Sequence, residues 1–426
     1  DDASSDDGES DDYDGIPPVL RSVEAIERSW RNATPPPPRG DTKKIAVKRL
    51  DVSDPRYNAW VWGEGDVASD DHLDVYYQKE RNGGKGPDCQ YVAWHHYLFP
   101  SCNSMHEINM ARPTEKVVSG GYFRDVWTGP DDAYVLKTLV YDHKYRPSQF
   151  EFQRMDALVM ERLAGSPLVV DIYGHCGTTV LVEALPHEIY KQMVPGSGLP
   201  PKGGLRDVDD VRPRNRMPVG KKLEMALEMA ESLAELHGFA DGVIVHDDVQ
   251  TYQWLRTKDG VLKINDFNRA EIMLWNAHNS SYCRYRNGSV SGNYRAPEEN
   301  QDLPLNEKID LYSLGNNLYC LLTGLWNYYQ IDDDKVAQKK VNRHQLPIID
   351  VRYQNHTYGE GALVRIIELC YIYDPDQRPD IFQIVHFLRT ILHEQLLLMA
   401  ADQQEDAVRV EEKLQTLDRL ITQVRN

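Results

Sequence analysis

The chain lacks an excess of basic residues. Its 48 Lys and Arg stand against 66 Asp and Glu, a formal net charge of −18 over 426 residues. A sequence pI near 5.2 argues against nucleic acid or an anionic membrane as the main partner. No apolar run reaches the roughly 18 residues that a membrane helix needs. Any membrane association is expected to come through a segment outside this chain, which begins at Asp1 and not at Met. Cysteine is scarce: six are too few for a disulfide scaffold, and with no C-x-x-C pair a zinc site is not expected. Cys89 and Cys102 lie close enough in sequence to close a loop, or to remain two free thiols; spacing leaves both open. What is present, 41% hydrophobic and 27% charged residues, excludes global disorder and supports one large domain or two to three units.

Four N-x-S/T sequons, at Asn32, Asn279, Asn287 and Asn355, are a modest excess over chance and tilt toward a secreted or lumenal protein. Residues 1–14 hold eight acids and no base, an acidic solvated tail, and Pro35–Pro38 mark a stiff linker. We divide the chain into a disordered tail and linker (1–42), an accessory segment of strands and loops (43–112), a β-rich unit (113–186), a helical unit (187–395) and a C-terminal helix (396–426). Two β-type runs, Val126–Thr128 and Tyr134–Val140, flank a turn at 129–132. Phe152, Met155, Leu158, Val159 and Leu163 share one face of a helix over 149–163. Strands follow at Val169–Tyr173 and Val180–Ala184, then a Pro-, Gly- and Arg-rich insertion at 188–217. Helices are predicted at 220–238, 307–324, 361–372 and 380–425. The tail places Val408, Leu414, Leu417, Leu420, Ile421 and Val424 on one helical side, to pack at home or against a partner. Strands first and helices afterwards give an α+β, two-lobed architecture.

Chemistry-bearing residues recur in a fixed order. Lys137 lies in Val135-Leu136-Lys137, and Asp156 follows on the predicted helix. Then come Val245-His246-Asp247-Asp248-Val249-Gln250-Thr251-Tyr252-Gln253-Trp254-Leu255, Lys263-Ile264-Asn265-Asp266-Phe267-Asn268, Tyr294-Arg295-Ala296-Pro297-Glu298, Asp310-Leu311-Tyr312-Ser313-Leu314-Gly315 and Asp374-Pro375-Asp376-Gln377-Arg378-Pro379. Single pieces are noise; six in order are not. The sequence resembles the protein-kinase fold over roughly 113–395. It is also similar to a divergent algal-type branch in which glutamine replaces the usual asparagine and Asp-Phe-Asn the usual Asp-Phe-Gly.

The resemblance implies ATP with Mg²⁺, or Mn²⁺, as cofactors and a protein substrate. Lys137 would meet the α/β-phosphates and pair with Asp156, one methylene shorter than the family's glutamate. Asp248 would accept or orient the substrate hydroxyl proton. Asp266 and Gln253 would hold metal, Gln253 through an amide oxygen on a longer arm. Ser119, Gly120, Gly121 and Val126 would form the phosphate-covering loop, with Arg124 in place of its third glycine, either near phosphate or pointing outward. Val182, Glu183, Leu185 and Leu255 would line the adenine pocket, Val182 guarding its back. Glu298 would pair with Arg378, and Asp310 would hold the catalytic-loop backbone. Asn268 can still make its turn, since Asn tolerates positive φ. Asp247 replaces the arginine that docks an activation-loop phosphate, so no activation by loop phosphorylation is expected. Gln250 replaces a lysine, which removes one cation from the γ-phosphate and predicts slow turnover unless Arg124 or another base compensates. The leading reading is a divergent Ser/Thr-type protein kinase. The alternatives are a pseudokinase scaffold with weak or no turnover, working through the accessory segment or C-terminal helix, and a lumenal glycan or small-molecule kinase. The expected location is the secretory lumen or outside the cell, with the cytoplasm as the alternative.

Overall fold

A computed structural model describes residues 89–90, 95, 102, 105, 115–118, 124–140, 147–199, 214–239, 242–276, 278–287, 291–331, 333–349, 357–400 and 407–425. The tail and linker of 1–42, most of the 43–112 segment and the loop residues Ser119, Gly120 and Gly121 lie outside these.

The sheet-forming half contains β2 (Glu115–Val118), β3 (Arg124–Thr128) and β4 (Val135–Leu139). It continues with helix α1 (Pro147–Arg162), β5 (Ile172–Cys176) and β6 (Thr179–Val182). The antiparallel sheet runs β2-β3-β4-β6-β5. A 3-10 turn at Pro130–Asp132 joins β3 to β4, and Tyr134 accepts from the Gly129 N–H at 2.8 Å. A Cβ on Gly129 would lie 2.6 Å from the Tyr134 ring, so this turn needs glycine. The register sets Val126 opposite Lys137, and Lys137 opposite Val180. All five apolar residues of the predicted α1 face are buried, and so are Met160 and Asp156, because the helix is covered on more than one side. A parallel bridge between Val169 and Ile264 ties this half to the strand that leads into Asp266.

The insertion begins with β7 (His187–Glu188) and a short helix α2 (Tyr190–Met193). Beyond it the chain is mostly helical. Helix α3 (Val219–His237) leads to β8 (Ile244–Val245), β9 (Trp254–Arg256) and β10 (Leu262–Ile264). β11 (Glu271–Ile272) pairs with β8. β12 (Trp275–Asn276) and β13 (Ser281–Tyr282) form a hairpin that takes β1 (Cys89–Gln90) as its third strand. Helices α4 (Pro297–Asn300), α5 (Lys308–Thr323), α6 (Asp334–Val341), α7 (Tyr358–Cys370), α8 (Ile381–Ala400) and α9 (Ala407–Arg425) complete the described chain. Every residue of α5 from Ile309 to Thr323 is buried, which makes it the axis of the helical core. It ends at Gly324, whose φ of 74° is the left-handed cap that glycine adopts freely. The predicted helix over 380–425 is described as two, α8 and α9. Leu414, Leu417 and Ile421 of α9 are buried in the same core, so this helix packs on its own domain. Val408 of the predicted stripe is exposed instead.

The cysteine expectations are corrected. Cys89 and Cys102 neither pair with each other nor remain free. Cys89 bonds Cys283, next to β13, and Cys102 bonds Cys176 at the end of β5. Each partner is far away in sequence, which spacing could not show. Cys320 and Cys370 are free and buried.

Candidate functional site

Asp248 follows β8, and its carboxylate is held from four sides. Oδ1 accepts from the Tyr294 hydroxyl at 2.8 Å, Gln250 Nε2 at 3.0 Å and Arg295 Nη2 at 3.0 Å. Oδ2 accepts from Gln253 Nε2 at 3.3 Å. Burial raises the pKa of Asp248, but Arg295, Arg269 and the Tyr294 hydrogen bond outweigh it and hold the carboxyl below its usual value. The 3-10 turn Thr251–Gln253 swings Gln253 back toward Asp248. Asn265 then ties the two loops: its N–H and its side-chain amide both donate to the Gln253 carbonyl, at 2.9 and 2.8 Å.

Asp310 braces this loop from below. Oδ2 accepts from the His246 N–H at 2.7 Å and lies 2.9 Å from His237 Nε2, and Oδ1 accepts from the Asp247 N–H at 3.0 Å. Glu298 and Arg378 pair through two hydrogen bonds, of 2.7 and 3.2 Å.

On the sheet side the central finding is Arg124. Its Nη1 donates to Asp156 Oδ2 at 2.5 Å and its Nη2 to Asp266 Oδ1 at 2.6 Å. It therefore points neither outward nor to an open phosphate site; it welds β3, α1 and the Asp266 turn together. Asp156 also accepts from the Phe267 N–H at 2.7 Å. Burial raises the Asp156 pKa, but Arg124, Lys137 and that N–H more than offset it, so the carboxyl stays low. The expected Lys137–Asp156 pair is thereby loosened. Lys137 Nζ lies 3.9 Å from Asp156 Oδ2, is largely buried, and makes no hydrogen bond among the described residues. The shorter Asp156 does not reach Lys137 closely, and one arm of the Arg124 fork takes the carboxylate instead while the other takes Asp266. Asp266 has a φ of 67°, and its side chain is about one-third exposed (32%). Phe267 packs on His246, with ring centroids 5.2 Å apart.

Val126 lies across the sheet from Lys137, and Val182 is buried at the end of β6. The Glu183 N–H is already used by the Asp171 carbonyl at 3.0 Å, and its carboxylate binds Lys263 at 2.5 Å. The backbone group that Glu183 has left for a base is its carbonyl, beside the backbone of buried Leu185. Leu255 sits in β9, opposite Lys263.

Tyr294 and Arg295 belong to the motif in which only Glu298 is expected to have a role. In the fold they are direct partners of Asp248. Arg295 also binds the Asp247 carbonyl at 2.7 Å and Glu299 at 3.0 Å, while Asn287 Nδ2 donates to Asp247 Oδ1 at 2.7 Å. The usual arrangement has a basic residue before the catalytic aspartate and an anion on the loop; here the acid precedes it and the base comes from the loop. Asn287 is spent in this buried cluster, so its sequon is closed to an oligosaccharide. Below the turn lies a cavity of about 300 Å³ lined by Gln250, Tyr252, Tyr294, Asn317 and Trp326 among others, with Asp334 its one charged member. Tyr190 from the insertion packs against Tyr252 at 4.5 Å between centroids, so the insertion supports this wall.

A sheet-built half and a helical half thus meet around one linked set of groups: Lys137, Asp156, Arg124, Asp266, Gln253 and Asp248. Sequence comparison agrees. The protein kinase domain family matches residues 131–388, and the chain belongs to that family. Among curated proteins it is similar to serine/threonine-protein kinase 12 of Arabidopsis thaliana, 24% identical over 45% of this chain and 40% of that one. It is 25% identical to the actin-regulating kinase PRK1 of Saccharomyces cerevisiae over 63% of this chain and 33% of that one. The dual specificity protein kinase shkE of Dictyostelium discoideum is 27% identical over 41% of this chain and 23% of its own length. The chain therefore spans less than half of each of these relatives.

Proposed function

We propose that the chain transfers the γ-phosphate of ATP to hydroxyls of a protein substrate, Ser or Thr, as a member of the divergent branch with Asp-Phe-Asn and glutamine at the metal position. The observation that carries this is Lys137, a buried ammonium without a hydrogen-bond partner among the described residues, held beside the linked set that ends at Asp248. A buried ammonium whose carboxylate neighbour lies 3.9 Å away and is shared with Arg124 is costly, and an anion such as phosphate relieves it. Lys137 and the backbone around Val126 face the triphosphate, and Val182, Glu183, Leu185 and Leu255 face the base. Asp248 has its Oδ2 bound only by the long Gln253 contact, so that oxygen takes the acceptor hydroxyl. Its low pKa makes it an orienting acceptor more than a strong base. The amide and aromatic lining of the nearby cavity suits an uncharged acceptor segment.

Asp266 and Gln253 supply hard oxygen donors, a carboxylate and an amide, which suit Mg²⁺ or Mn²⁺ with phosphate and water as the remaining ligands. Such an ion neutralises phosphate charge when bound. Asp247, in its cluster with Arg295 and Asn287, stands where the arginine that docks a loop phosphate would be, which supports activity without loop phosphorylation. Two long-range disulfides and an exposed Asn279 at the β12–β13 tip support residence in the secretory pathway. The test is transfer of labelled γ-phosphate by purified chain and by Asp248→Asn. Loss of at least about 100-fold in the variant is expected; equal signal overturns the reading. Thermal stabilisation by Mg-ATP without any transfer would instead indicate a scaffold.

A further inference from the structure

Arg124 occupies space that a cation would otherwise claim. A carboxylate shared by two divalent ions uses both oxygens, and Asp266 Oδ1 is already bound to Arg124 Nη2 at 2.6 Å. The guanidinium cannot swing away cheaply, because Nη1 is fixed on the fully buried Asp156 at 2.5 Å. Arg124 is itself buried and carried on β3, paired there with Leu139 of β4. Its pKa lies above the usual arginine value: burial opposes the charge, but Asp156 and Asp266 outweigh it, so the group is a permanent cation. Arg124 leaves the second oxygen of Asp266 untouched, on a side chain about one-third exposed (32%).

We propose that the nucleotide site holds a single divalent ion and that Arg124 takes the place of the second positive charge, acting as a positioning residue for Asp266. This rests on the nucleotide-binding reading above. A fixed side chain thus balances the charge of Asp266 that a second exchangeable ion would otherwise balance.

The experiment is Mn²⁺ titration of the full chain with a non-hydrolysable ATP analogue, followed by calorimetry and electron paramagnetic resonance against analogue-only blanks. The wild type is expected to bind one Mn²⁺ per chain. Arg124→Gly frees Asp266 and lets Lys137 close on Asp156; it should gain a second ion at least about tenfold tighter than any second site in the wild type, since a like charge beside the ligand is removed. Arg124→Lys keeps the charge and should stay at one. If Arg124→Gly does not fold, Arg124→Gln replaces it with the same expectation. Two ions in the wild type, or one in both neutral and charged variants, overturns the role of Arg124 alone. Absence of analogue binding in every protein overturns the nucleotide reading itself, and this proposal with it.

Discussion

Lys137 and Asp247 show how a single residue's meaning depends on what surrounds it. Lys137 is buried and makes no hydrogen bond among the described residues, so Lys137→Met, which removes its desolvation cost, should lower unliganded stability by no more than about 1 kcal/mol or raise it, while abolishing the thermal shift given by Mg-ATP. A large loss of stability without nucleotide would contradict this. Asp247 is the opposite case: fully buried and bonded to Arg295 and Asn287. Asp247→Ala leaves Arg295 with Asp248 and Glu299 but deprives buried Asn287 of its 2.7 Å acceptor, and should cost about 1–3 kcal/mol in urea unfolding. The identities and order of these residues were legible, but their partners were not. Arg124 could be located in the sequence at the third-glycine position, yet whether it faced phosphate, water or a carboxylate depended on the separation of β3, α1 and the Asp266 turn. That separation is a product of packing.

Among the elements, α5 is the most exacting. A Cβ on Gly315 would sit 2.8 Å from the Cβ of Cys370 on α7, so glycine lets these two helices approach. Gly315→Ala should destabilise by about 1–3 kcal/mol through overpacking, read as a lower urea midpoint with unchanged m. Periodicity predicted the α1 face and, in α9, the buried Leu414, Leu417 and Ile421 but not the exposed Val408, because a helix buries the side its apolar residues mark. It could not divide 380–425 into α8 and α9, nor show that β12 pairs with β1. Strand pairing between segments so far apart in sequence has no local signal.

For the whole molecule, the disulfides join the accessory segment to both halves: Cys102 to β5 and Cys89 to the segment after Asp266. Peptide mapping without reductant should find Cys89–Cys283 and Cys102–Cys176 and leave Cys320 and Cys370 free. In a glycosylating host, Asn279 should carry an oligosaccharide and Asn287 none; occupancy at Asn287 would mean that the Asp247 cluster is not formed. The pH response follows from Asp156 and Asp248, whose folded pKa values lie below the ordinary 3.8. Their contribution to stability is present above that value and is lost as pH falls through the folded values. The melting temperature should therefore hold from these groups down to about pH 4 and drop below it.

By itself the sequence determined the two-lobed α+β plan and the order of the family's motifs, because periodicity and motif order are properties of the chain alone. Tertiary structure decided that Arg124 bridges two carboxylates, that Asp247 is anchored by Arg295, and which cysteines meet. Those are matters of distance between segments remote in sequence, fixed only when the core closes and each buried charge must find a partner.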